Sequence, residues 1–158
     1  MEEVFSLDTK IIKKKEEKEE FDVIIAFEFG SGKYLTSNLN IAIRVKIIYE
    51  TYGMEKPLIS QKDIIFLSYF ESYSEILERK NSFKRNIFIL DLEMKRHLST
   101  FKLIKKFAEF AKKNNWKKVL VITAPMHVAR CVRDLKKMEF EAYEDEFFKE
   151  HYKLSKWW

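Results

Sequence analysis

His127 and Arg130 stand three residues apart in the stretch VITAPMHVAR, a spacing that puts an imidazole and a guanidinium at neighbouring positions on a helix. An imidazole moves protons near neutral pH, and a guanidinium holds anions through a fixed fork of N–H donors. The helix that carries them is predicted to open just before them. Pro125 suits a first helical position, where its missing N–H has no intrahelical role. Ala124 is then the N-cap, and alanine has no side-chain acceptor to offer. The amides of Met126 and His127 are therefore expected to lack an intramolecular partner. A helix N-terminus with open N–H groups beside a guanidinium is an anion site. Asp134, one turn further on, can orient either side chain. A plainer reading stands beside this one: His127 closes the helix start and Arg130 makes a surface ion pair.

The elements that must position this pair can be read outward from it. Residues 119–122, VLVI, are apolar at every position, the pattern of a strand covered on both faces. Val128, Cys131, Val132, Leu135 and Met138 then recur at helical spacing and form one apolar face. Upstream, residues 21–27 (FDVIIAF) predict a first strand and residues 38–52 a helix, with Ile41, Val45, Ile48 and Tyr52 on one side and Gly53 as its stop. The loop between them holds Gly30 and Ser31, whose backbone amides can approach a phosphate. The G-x-x-x-x-G-K-[ST] spacing is absent, and an ordinary glycine-containing turn explains the loop equally well.

Residues 63–69 (DIIFLSY) predict a second strand and residues 72–83 a short helix, with Ser72 and Glu75 in a capping-box pattern. Residues 86–92 (NIFILDL) predict a third strand. Glu93 at its end is either a solvated loop residue or a site residue. A helix over 99–113 carries two apolar rows, Phe101, Ile104, Ala108 and Ala111 beside Leu103, Phe107 and Phe110, and Asn114 and Asn115 can end it in the left-handed conformation. Residues 140–143 complete the strands, and Trp157 and Trp158 in the tail are expected to pack back on the core.

Strands and helices alternate with no hairpin signal. That pattern implies an α/β fold, a three-layer Rossmann-like domain with a mostly parallel sheet and helices on both faces. Ligands of such sheets bind where the strands end at their carboxyl termini. The polar residues at 28–31 and 68–71, Glu93 and the stretch 123–127 all fall at predicted strand ends.

Thr123, His127 and Arg130 resemble the T-x-x-x-H-x-x-R signature of the YdcF/SanA/ElyC-like domain, a family of unknown function. The resemblance follows the order of elements over 21–143 and is specific around 119–131. It implies a ligand site that includes Thr123. Arg44 stands where the family has an arginine in its first helix. Ser68 and Glu75 match its serine-then-glutamate pattern, and Glu93 its glutamate after the third strand. Ser99 occupies the first position of a Ser/Thr-x-x-Asn segment, with Lys102 in place of the asparagine, and Glu28 and Phe29 replace family glycines. The implied site has His127 and Glu93 in catalytic roles and Gly30, Ser31, Arg44, Glu75, Ser99, Thr123 and Arg130 around the ligand. Glu93 can orient His127 or join Glu28 around a divalent metal. No metal ligand set is assigned, and no cofactor follows.

Composition bounds the rest. The chain has 158 residues, enough for one domain with its own core, here 21–158 behind a charged lead, 1–20. The net charge of +5 suits an anionic ligand. Basic residues interleaved with acidic ones, as in KKKEEKEE, speak against nucleic acid as a partner. No apolar run approaches the ~20 residues needed to span a bilayer, and the lead has no signal-peptide core. Cys131 is the single cysteine, so no intramolecular disulfide forms and a reducing compartment fits. A cytoplasmic protein free of membranes is expected, and a homo-oligomer is compatible with the sequence. The expected function is binding of a small anionic ligand, nucleotide-like or phosphorylated, and its hydrolysis with His127 as acid/base. The alternative is a non-catalytic nucleotide- or metabolite-binding module, since Cys131 faces the predicted core and neither Ser31 nor Ser99 has an evident base.

Overall fold

The structure, a computed structural model, describes residues 21–29, 36–52, 55–69, 86–91, 99–146 and 148. Its elements run β1 (Val23–Ala26), α1 (Thr36–Thr51), β2 (Leu58–Ser60), α2 (Lys62–Tyr69), β3 (Ile87–Ile89), α3 (Thr100–Asn114), β4 (Lys118–Ile122), α4 (Pro125–Lys137) and β5 (Glu141–Glu144). The five strands form one parallel sheet in the order β3-β2-β1-β4-β5. This is the expected α/β, Rossmann-like architecture in three layers.

The layers follow from the handedness of parallel connections. Successive crossovers in one direction lay their helices on one face, and crossovers in the other direction lay them on the opposite face. The chain steps from β1 to β2 to β3 one way, and α1 and α2 pack on one side, where Ile41, Val45, Ile48, Ile64 and Ile65 meet Ile24, Leu58, Leu120 and Ile122. It then jumps across β1 to β4 and continues to β5, and α3 and α4 pack on the other side. There Ile104, Phe107, Val128, Cys131 and Leu135 meet Val23, Ile25, Val119 and Val121. Neighbouring residues of β1 and β4 therefore enter opposite cores, which is why these central strands are apolar at every position.

The stretch 63–69 departs from expectation: it is helix α2, and the second strand is the three-residue β2 before it. Ile64, Ile65 and Ser68 are buried while Phe66 and Leu67 are half-buried, so the run carries one helical face rather than two covered strand faces. Its start is capped from a distance, the Lys62 N–H donating to the Asp91 carboxylate beyond β3 at 2.7 Å. Ser68 thus leaves the strand ends, and its hydroxyl donates within α2 and across to α1, 2.7 Å from the Ile64 carbonyl and 2.9 Å from that of Ala42.

The other helices hold close to their expected bounds. Ser99 caps α3 by accepting the Lys102 N–H, and Asn115 ends it with φ 58°. Within α3, Phe101 is 48% exposed, so the buried face is Leu103, Ile104, Phe107, Ala108 and Ala111, narrower than the two rows predicted. Among the described residues no helix is long and apolar enough to cross a membrane. The lead 1–20, the helix expected at 72–83, Gly53 and the two C-terminal tryptophans lie outside the described residues.

Candidate functional site

The strand order reverses between β1 and β4, and the crevice at such a reversal is where open α/β sheets hold their ligands. The register pairs Ala26 with Ile122, and the Phe27 N–H extends the ladder to the Ile122 carbonyl at 3.1 Å. Beyond these pairs the two chains diverge, β1 into Phe27, Glu28 and Phe29, β4 into Thr123, Ala124 and the start of α4. The turn after β1 is fixed to the first turn of α1: the Phe29 N–H donates to Asn38 Oδ1 at 2.7 Å.

His127 sits in this crevice, half-buried. Its ring lies edge-on to Phe27 with centroids 6.4 Å apart and is tilted against Phe29 at 6.0 Å. Its Nε2 is 3.2 Å from the hydroxyl of Thr100, the first residue of α3. Burial pushes the imidazole pKa below the usual histidine range, and the Arg130 charge pushes the same way while Asp134 partly offsets both. The neutral ring, with one lone pair for accepting a proton, is thereby favoured.

One part of the expected anion site is corrected. The His127 amide has a partner: it donates to the Ala124 carbonyl at 2.8 Å, and the Val128 amide converges on the same oxygen at 3.0 Å. A tight first turn draws the N–H inward. Ala124 is the N-cap with Pro125 behind it and makes no side-chain capping bond, as expected. The Met126 amide makes no hydrogen bond among the described residues, as expected, and is left with side chains to meet an anion. Arg130 is exposed and makes no ion pair among the described residues. Asp134 instead pairs with Arg133 at 3.7 Å. Thr123 is only 2% exposed, and its Oγ1 has no hydrogen-bond partner among the described residues. Buried hydroxyls are seldom left that way.

Other candidates are placed elsewhere. Arg44 is 3% exposed and points from α1, on the face of the sheet opposite α4, to Asp145, its Nε meeting Oδ2 and its Nη2 lying 3.1 Å from Oδ1. Ser99 is exposed and occupied as the α3 cap, so the hydroxyl that reaches His127 belongs to its neighbour Thr100. Two adjacent hydroxyls at a helix start gave the signal, but the sequence alone could not tell the cap from the contact. Gly30, Ser31, Glu75 and Glu93 lie outside the described residues.

Sequence reasoning also missed the surroundings of Glu28. Its carboxyl is half-buried, beyond the end of β1, and interacts with Asp63 at the start of α2 and Asp91 after β3. Burial, the charges of Asp63 and Asp91 and a hydrogen bond to Asp63 together raise its pKa to about 7 against an opposing pull from Lys62. Its backbone N–H donates to Gln61 Oε1 at 2.9 Å. Among the described residues no group of three or more His, Cys, Asp or Glu is arranged to hold a metal ion.

A cavity of about 770 Å³ lies between α4 and β5, lined by Val132, Arg133, Lys136 and Tyr143 among others, but none of the candidate residues faces it. The chemistry, not this hollow, marks the site. Cys131, fully buried, is pushed up to about 12, chiefly by burial. Iodoacetamide at pH 8 is expected to leave the native thiol unmodified and to alkylate it fully in denaturant, because the thiolate is the reacting form. Mass spectrometry of the two samples checks this. No protein-family model matches the chain, and no curated protein or solved structure matches it either.

Proposed function

We propose that this chain is a YdcF/SanA/ElyC-like domain that binds a small anionic ligand, nucleotide-like or phosphorylated, at the C-terminal edge of its sheet, and that His127 acts there as the acid/base of a hydrolysis. The observation that carries this reading is a half-buried imidazole beside Phe27, Phe29 and Thr100 at the β1–β4 strand ends, with the guanidinium of Arg130, exposed and without an ion pair among the described residues, one turn away on the same helix. Arg130 supplies charge and paired donors for the anion. Thr123 adds a buried hydroxyl without a hydrogen-bond partner among the described residues. His127 draws a proton from an attacking water and returns it to the leaving group. The resemblance assigns Gly30, Ser31 and Glu75 to ligand binding and Glu93 to catalysis with His127. The single buried thiol supports a cytoplasmic setting.

A second reading, binding without turnover, is favoured by one observation: among the described residues no activated side-chain nucleophile stands in the site, Cys131 being buried and Ser99 engaged as a cap. Native mass spectrometry with a panel of phosphorylated metabolites, followed by calorimetry on any that bind, tests the proposal. Arg130→Ala is expected to weaken the retained anion roughly tenfold or more, the loss of a charge-assisted contact. His127→Ala is expected to keep binding and abolish turnover. An anion held with undiminished affinity by Arg130→Ala would refute the placement of the site. Turnover lost only with Arg130, and unaffected by His127→Ala, would refute the role of the imidazole.

A further inference from the structure

The His127 ring has a hydrogen-bond contact with Thr100, 27 residues away in the chain, whose Oγ1 lies 3.2 Å from Nε2. This contact joins the first turns of α3 and α4, the two helices that cover one face of the sheet. The ring is braced on its other sides by Phe27 and Phe29, so it has little freedom to turn away from the hydroxyl. The other ring nitrogen, Nδ1, makes no hydrogen bond among the described residues. A neutral imidazole has one N–H and one lone pair, and the partner of one nitrogen decides the state of the other. A threonine hydroxyl can take either part, as acceptor from Nε2–H or as donor to a bare Nε2. The Nε2–H form is the intrinsically favoured tautomer of histidine, and it leaves the hydroxyl as acceptor.

We propose that Thr100 is a positioning residue for His127: its Oγ1 accepts the Nε2–H, fixes the ring in that tautomer and leaves Nδ1 as the basic atom. The inference rests on reading His127 as the acid/base of the site and adds which nitrogen does the work. It also assigns a purpose to a residue next to the α3 cap rather than to the cap itself. The two roles of the hydroxyl have opposite consequences. As acceptor, Thr100 holds a donor that becomes stronger when the ring is charged, so it favours the imidazolium. As donor to a bare nitrogen, it favours the neutral ring. Removing it therefore moves the histidine midpoint in opposite directions in the two cases.

The test is imidazole ¹⁵N NMR on the ligand-free protein, with the His127 signals assigned by their loss in His127→Gln. The wild-type ring is expected to be Nε2-protonated above its midpoint. Thr100→Val is expected to give a mixture of tautomers and a lower midpoint, and Thr100→Ser to restore both. A wild-type ring protonated at Nδ1 overturns the proposal without recourse to any variant. So does a folded Thr100→Val protein with the wild-type tautomer and midpoint, or with a raised midpoint. No ligand enters these measurements. Failure here leaves the Arg130 binding experiment untouched, and failure of that experiment leaves the tautomer result in place.

Discussion

Arg44→Met is expected to destabilise the protein by about 3–5 kcal/mol, the usual cost of removing one partner of a buried ion pair. Arg44 and Asp145 are 101 residues apart and both nearly inaccessible to water. Together they tie the middle of α1 to the chain leaving β5. Methionine fills much of the arginine stem's volume, so the loss is not mainly one of packing. It comes from an aspartate carboxylate left buried without its guanidinium, with the Phe148 N–H at 3.3 Å as remaining support. In thermal unfolding the loss corresponds to a midpoint lowered by roughly 10 °C. Arg44→Met combined with Asp145→Asn is expected to recover a substantial part of the stability, because the amide carries no charge and still offers an oxygen to Phe148. The same variant settles what the family resemblance implies for this position. Unchanged stability with lost anion binding would make Arg44 a ligand residue, whereas the ion-pair geometry predicts the reverse.

Glu28→Gln is expected to stabilise the protein at alkaline pH and to do so progressively less as the pH falls. The folded state raises the Glu28 pKa from 4.5 to about 7, so folding favours the protonated carboxyl. Relative to an unperturbed glutamate, stability is intact below about pH 4.5, falls as the pH climbs through the window up to 7, and stays reduced above it. At face value the displacement corresponds to roughly 3 kcal/mol. The carboxyl is only half-buried, and solvent screening reduces this to about 1–2 kcal/mol. Glutamine is neutral at every pH and keeps a donor for Asp63. Urea unfolding at pH 8.5 should therefore show the variant ahead by about 1–2 kcal/mol, and at pH 5 the gap should largely close. A gain of the same size at both pH values would mean that the carboxylate charge is not what costs stability here.

The sequence was most informative where two periodicities met at a proline. In 119–133 an unbroken apolar run gives way to helical spacing at Pro125, and both elements form as read, down to the buried row Val128, Cys131 and Leu135. Asn115 adopts the left-handed conformation expected of it. The stretch 63–69 reads as a strand but folds as a helix, because a short apolar run has no periodicity strong enough to separate the two. Lys62 and Asp63, polar residues just ahead of Ile64, were the available sign of a helix start. The three-residue β2 is too brief for any pattern to emerge. What stayed hidden were contacts between distant segments. Asp91 capping α2, Arg44 on Asp145, Asp63 beside Glu28 and Thr100 against His127 each depend on which strand ends lie side by side, and no local spacing encodes that.

The clasp around the imidazole has a consequence for when, during folding, the crevice comes to exist. Phe27 and Phe29 reach His127 from about a hundred residues upstream and Thr100 from 27 residues upstream. Contacts that close such long loops form late. No fragment lacking β1 can hold the ring as the whole domain does, and partial unfolding that releases β1 removes the contacts of Phe27 and Phe29 with it. The crevice is therefore gained or lost together with the central pair of strands.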